Sequence, residues 1–266
     1  MADTKALRGR IKSANSTLHL TKAMGLVASS KIRRANDAMQ KGREYATAFE
    51  NVIQLLTSCK DCEKSAFMQV RDTQRIRLIV IAGDRGMAGG YNANVFRLVA
   101  SLPPADILPI GKRACDRFGD KIVSSEHFTS VDAAALSQIL CTDFAEGKFD
   151  QLGIVCTKYV SMMTQEATLE WVLPLTRGET SQQTTAVFEP SEAEVLESVV
   201  PAYVTGRIMA AVRESFASEV AARRMAMDSA GKNAQQMIDQ LQLEYNRARQ
   251  GAITQEITEI VAGAGN

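Results

Sequence analysis

The chain has 266 residues, 45% hydrophobic and 23% charged, proportions of a protein that folds around a core rather than of a disordered one. Lys and Arg number 31 against 30 Asp and Glu, so the formal charge of +1 points to no polyanionic partner for the molecule as a whole, and charge must act locally. No run of about 18 uninterrupted apolar residues is present to span a bilayer, and the N-terminus lacks the compact apolar core of a secretion signal, so a cytosolic chain is expected. Five cysteines, an odd number without framework spacing, fit reduced thiols.

Residues 1–102 contain no proline, where average usage of about 5% predicts roughly five. From Met24 the apolar or small positions Ala28, Ile32, Ala35, Met39, Gly42, Ala46, Phe49, Ile53 and Leu56 follow in steps of four or three. That spacing keeps one stripe on one side of a helix, and Leu7, Ile11, Ala14 and Leu18 carry it backwards. A helix over about 5–56 would be a rod of roughly 75 to 80 Å, and residues 1–58 form the first expected segment.

The middle, 74–190, changes grammar and reads as a central Rossmann-like α/β domain. A buried strand is expected at 75–82, a glycine-rich loop (GDRGMAGGYN) at 83–92 and a helix at 93–102. A strand at 106–110, helices at 112–118 and 131–146 and a strand at 152–157 follow, which predicts a small parallel or mixed sheet. Further strands at 167–173 and 184–188 would extend it antiparallel.

The last segment, 191–266, starts a return helix at 191–200, with Pro201 as a kink or first turn. From residue 202 prolines vanish again. Val204, Ile208, Val212, Phe216 and Val220, then Met227, Ala230, Ala234, Met237, Leu241, Tyr245, Ala248 and Ala252, mark a stripe on a rod of roughly 85 to 95 Å. Two stripes from opposite ends of one chain bury each other as an antiparallel coiled coil with a left-handed supercoil. The expected class is therefore α+β: a long antiparallel two-helix coiled coil of the terminal segments plus the central α/β domain.

Chemistry is sparse. The glycines of the 83–92 loop contain no G-x-G pair, and no Gly-Lys precedes Ser or Thr, so neither the dinucleotide fingerprint nor the P-loop is present and a structural turn is expected. Cys59 and Cys62 form a C-x-x-C without a second pair, two ligands short of a zinc site. His19 and His127 are the only histidines and lie far apart in sequence. No catalytic residue, metal or cofactor is expected. Residues 1–44 carry ten cations against Asp3, Asp37 and Glu44, a local +7 that fits a solvated face, an acidic protein surface, or a nucleic acid or membrane surface. A duplex binder would carry the excess on both rods, but residues 202–266 balance at seven of each sign.

Three segments carry a resemblance: RIKSANST with LTKAMGLVASSKIRRA up to Ala35, GDRGMAGGYNANV at 83–95, and the forty residues from Met225 to Ala264. In this order they resemble the gamma subunit of F-type ATP synthases, and they span nearly the whole chain. The resemblance implies a noncatalytic central stalk without bound nucleotide or small-molecule substrate. Its terminal helices would turn inside a ring of three alpha and three beta subunits, and its α/β domain would stand on the c-subunit ring beside epsilon. Such a chain sits at the cytoplasmic face of the bacterial plasma membrane, peripherally, through the complex, and couples proton-driven rotation to sequential changes in the beta subunits. Carried over position by position, Arg249, Gln250, Thr254 and Glu256 match the cluster that engages a beta-subunit catch loop. Arg223 matches an arginine near the same coupling region, and Met24 a residue facing beta at the lower bearing. Lys22, Arg33 and Arg34 are expected against acidic beta-subunit surfaces by charge alone. Departures are Gly25, where the family usually has lysine, Val220, where a polar residue is common, and a weakly similar stretch at 124–191.

Overall fold

The computed structural model describes residues 2–71, 75–119, 123–178 and 188–264. Its elements are α1 (Ala2–Thr57), two short 3₁₀ turns (Lys60–Lys64, Ala66–Met68), β1 (Ile76–Ile81), α2 (Tyr91–Ala100), β2 (Asp106–Ile110), α3 (Lys112–Phe118), α4 (Ser130–Ala145), β3 (Gln151–Tyr159), β4 (Gln165–Leu173) and α5 (Glu192–Ala264). The long helices take 56 and 73 residues. Two compact units result, 1–29 with 223–266, and 30–222, and both long helices contribute to each.

In the 30–222 unit the sheet order is β2-β1-β3-β4, with β1 parallel to β2 and β3, and β4 antiparallel on the edge. Ile79 pairs with Leu108 on one side and Ile154 on the other. The run IRLIVI is buried on both faces, as a strand covered by helices requires. Ile79 and Ile81 join a core that takes Leu140 and Phe144 from α4, Leu56 from α1 and Leu196, Val204 and Ile208 from α5. Ile76, Leu78 and Val80 face the other way, onto Val95 and Val99 of α2. Burying each of these large side chains stabilises the fold by about 1.5–3 kcal/mol relative to exposure.

Local chemistry sets the element ends. Thr129 accepts from Asp132 N while Asp132 accepts from Thr129 N, a reciprocal box that starts α4. Gly111 begins α3 at φ +97°, and a Cβ there would lie 1.9 Å from the Ala82 carbonyl oxygen. Helix α2 starts at Tyr91, two residues before the expected 93, because the Tyr91 ring is buried and its hydroxyl donates to Ser215 O at 3.0 Å. Pro201 lies inside α5, which runs on through it, so the proline is not the helix's first turn; its carbonyl accepts from Ser137 Oγ at 2.6 Å and Thr205 Oγ1 at 2.7 Å. Of the expected strand at 184–188, residues 184–187 lie outside the described residues, and Phe188 is not in a strand but packs against the core.

Within this unit α1 and α5 are held by charge as well as by apolar contact. Glu214 accepts from Arg43 at 2.6 Å and from Tyr159 N at 3.0 Å, tying both helices to the end of β3. Arg207 bridges Glu50 of α1, at 2.8 Å, and Glu170 of β4. Ser215 and Ser218, both buried, satisfy the backbone of Thr157, taking its N–H at 3.1 Å and donating to its carbonyl at 3.1 Å. One 18-residue window of α5 reaches a mean hydropathy of 1.3, and half of it is buried within the protein, as in a core helix.

Candidate functional site

The unit formed by 1–29 and 223–266 is a helix pair. Arg8 Nη2 donates to Tyr245 Oη at 2.8 Å and its guanidinium lies 5.6 Å from that ring's centroid. Ala14 and Leu18 pack with Ala234 and Ile238, Thr21 lies against Gly231, and Gly25 meets Met227 and Arg224. Rising numbers in α1 meet falling numbers in α5, so the pair is antiparallel.

The seam differs in register from the stripe read in sequence. On α1 the buried positions are Ala14, Leu18, Thr21, Gly25 and Ala28, alternating steps of four and three, while Met24 is half-buried beside them. On α5 they are Met227, Ala234, Ile238 and Leu241, with Gly231 half-buried in line, in place of the expected Ala230 and Met237. Met237 is 52% exposed and Ile238 is 3%. Glycine in the seam lets the helices approach closely, with Met227 buried against Gly25 and Met237 left outside.

Lys22, Arg249, Gln250, Thr254 and Glu256 are exposed; Arg223 is half-buried; Arg33 and Arg34 are exposed in the 30–222 unit. Gln250 and Thr254 are brought together by one turn, Thr254 Oγ1 donating to Gln250 O at 2.9 Å. Arg249 and Glu256, seven residues apart, share a face. Between them runs a feature the sequence reading missed: Ile253, Ile257, Ile260 and Val261 are 46%, 56%, 70% and 66% exposed. Their i, i+4, i+7, i+8 spacing was present in the sequence, beyond the Ala252 at which the stripe was taken to end. On α1, Leu20, Leu26 and Val27 are likewise exposed.

The glycine-rich loop holds an anion of the protein's own. Asp84 accepts from Lys112 N, Ser125 N and Glu126 N, each at 3.0 Å, and from Ser124 Oγ at 2.5 Å. Burial raises its pKa, but these four donors outweigh burial and hold the carboxyl below its ordinary range. Gly83 is pressed against the buried carboxylate of Glu219. The loop after β1 therefore presents a carboxylate of its own, held by amides from 112 and 125–126, where a phosphate site would need positive charge. Burial, then the neighbouring Cys59, pushes the Cys62 thiol up to about 11, the opposite of a reactive thiolate. Among the described residues no three His, Cys, Asp or Glu side chains gather as a metal site.

A family model described as ATP synthase matches residues 3–265. The ATP synthase gamma chain of Ruminococcus albus is 40% identical over 286 aligned positions, covering 100% of this chain and 99% of that one. The chain belongs to the ATP synthase gamma-chain family. The gamma chain of Geotalea daltonii is 36% identical over 99% of this chain and 98% of its own, and that of Acetobacterium woodii, described as sodium ion specific, is 36% identical over 97% and 96%. Among solved structures, a rotor of the Euglena gracilis mitochondrial ATP synthase shares the fold with a TM-score of 0.66 at 17% identity, over 95% of this chain and 99% of that one. The central stalk of the Tetrahymena thermophila enzyme gives 0.62 at 22% identity, over 79% and 99%. As a gamma chain it is a noncatalytic, central-stalk subunit of a membrane-associated ATP synthase, and the gamma chains of Ruminococcus albus, Geotalea daltonii and Acetobacterium woodii are bacterial.

Proposed function

We propose that the helix pair of 1–29 and 223–266 turns inside a collar of three alpha and three beta subunits, and that the α/β part stands on a ring of c subunits beside epsilon. On this reading residues 1–58 and 191–266 are the shaft segments and 74–190 the ring-side domain, at the cytoplasmic face of a bacterial plasma membrane. The observation that carries it is the uncovered stripe of Ile253, Ile257, Ile260 and Val261, interleaved with Arg249, Gln250, Thr254 and Glu256. A row of large apolar side chains left to solvent marks a surface that another protein covers.

Two helices have no three-fold symmetry, so three surrounding catalytic subunits meet three different sides. Only such differences in contact energy move otherwise identical sites into different conformations. Ion passage through the membrane ring supplies about 2.3 kcal/mol per charge per 100 mV, taken here as protons. Met24, half-buried beside the seam, and Arg223 serve as bearing contacts, Arg249, Gln250, Thr254 and Glu256 as the catch, and Lys22, Arg33 and Arg34 meet acidic surfaces.

The test is reconstitution of the complex with Ile253→Asp and Ile257→Asp together. Copurification of the unaltered chain with three alpha and three beta chains, and loss of ATP-driven proton pumping in the variant, are expected. Unchanged pumping in the variant rejects the stripe as the working surface.

A further inference from the structure

A cavity of about 470 Å³ opens within the 30–222 unit, between α1, α5 and the loop that enters α4. Its size lies in the range of small-ligand sites, about 300–1,000 Å³. It lies outside the helix pair and the glycine-rich loop, and Arg34 is the one residue it shares with the partner contacts proposed above.

Its charge is one-sided. Lys31, Arg34 and Arg213 line it, and the one carboxylate among the lining residues, Glu126, is spent on Lys31. Arg34 and Arg213 make no ion pair or hydrogen bond among the described residues, and Arg213 is half-buried. A guanidinium partly withdrawn from water without a counter-charge is costly unless an anion from outside completes it. A second signal is independent of charge. Ser125, on the cavity wall, is 5% exposed, and its Oγ has no hydrogen-bond partner among the described residues. Buried hydroxyls are nearly always partnered.

The cavity also reaches the N-terminal end of the 16-residue α4, whose dipole favours negative charge. Asp132 there is engaged with Thr129 through the capping box. The remaining wall is apolar, with the rings of Phe128 and Phe216 both half-buried. We propose that this cavity binds a small phosphate-bearing ligand of the nucleotide class, with Arg34, Arg213 and Ser125 on the phosphate and Phe128 and Phe216 against the ring system. Nothing in the glycine-rich loop takes part, since none of its residues lines the cavity.

The test is isothermal titration calorimetry of the full purified chain at low salt with ADP, inorganic phosphate and adenosine as separate probes. ADP is expected to bind with one-to-one stoichiometry, inorganic phosphate to compete with it, and adenosine to bind at least tenfold more weakly than ADP. Arg34→Gln alters an exposed side chain and leaves the fold intact, with unchanged far-ultraviolet circular dichroism, yet weakens ADP at least tenfold; Ser125→Ala weakens it several-fold. No binding of ADP or phosphate to the folded chain would overturn the proposal. So would equal affinity for adenosine, affinity unaltered in both Arg34→Gln and Arg213→Gln, or saturable binding of an oligoglutamate peptide with none of ADP, which would make the cavity a protein-binding surface.

Discussion

Arg224 of α5 donates from Nη1 to the carbonyl oxygen of Gly25 in α1, at 3.1 Å, at a turn where the seam of α1 carries no side chain. The carbonyl is reachable because nothing projects beside it. The space is nevertheless not full: a Cβ on Gly25 would lie 3.6 Å from Met227 Cβ and 3.7 Å from Arg224 Nη1, ordinary contacts. Gly25→Ala therefore removes backbone freedom from the unfolded chain without a clash. The expected gain is up to about 1 kcal/mol, or roughly 2–4 °C in Tm, read by circular dichroism at 222 nm. A lower Tm would mean that the new methyl displaces Arg224 from the carbonyl.

Gly111→Ala should behave oppositely. Its φ of +97° is one that side-chain-bearing residues avoid, and the added Cβ meets backbone, the Ala82 carbonyl oxygen at 1.9 Å, which cannot step aside as a side chain would. A loss of about 3 kcal/mol or more is expected, combining strain with the disrupted junction between β1 and α3. Chemical denaturation of both glycine variants in parallel checks the contrast; equal midpoints for the two would refute it.

Asp84 makes stability depend on acid. Its folded pKa is lowered, so its contribution is present above the unfolded value of about 3.9 and is lost as pH falls through the folded value. Glu126 acts with the same sign, its carboxyl held low first by the hydrogen bond from Lys31. Asp84→Asn is expected to cost about 2 kcal/mol near pH 7, since one carboxylate serves four donors, and to flatten the loss of stability below about pH 4. Urea midpoints at pH 7 and pH 3.5 measure both effects. A variant that keeps the parent's full acid sensitivity would place that sensitivity elsewhere.

Much of this architecture was legible in residue order because the decisive patterns are local. Missing prolines and a three-four rhythm announce both long helices, and IRLIVI reads as a strand sealed on both faces. What failed was phase within the rhythm. Met24 and Met237 were assigned to the seam, but the packed helices bury Gly25 and Ile238, each one residue further on: at Gly25 the missing side chain lets the backbones approach, and at Ile238 the more apolar neighbour is the one buried. Long-range closure was not legible at all. Asp84 finds its donors 28 to 42 residues away, and nothing near Asp84 in sequence specifies Lys112 or Ser124. The cavity beside Ser125 needs three distant segments to exist, and no spacing within any one of them announces it.

Arg249 and Glu256 give the most direct separation of folding from coupling. Both are exposed on α5, and neither makes an ion pair or hydrogen bond among the described residues. Reversing them, Arg249→Glu with Glu256→Lys, should leave the chain's own stability within about 0.5 kcal/mol, as for other surface substitutions. Any larger effect has to arise where a neighbour reads those charges. In the reconstituted complex, subunit stoichiometry is expected to stay unchanged while ATP-driven rotation slows several-fold, because rim charges tune partner contact more than they hold an assembly together. A fall in Tm of the free chain would instead give the pair a role inside the helix, and normal rotation would mean that the uncovered isoleucines alone transmit the force.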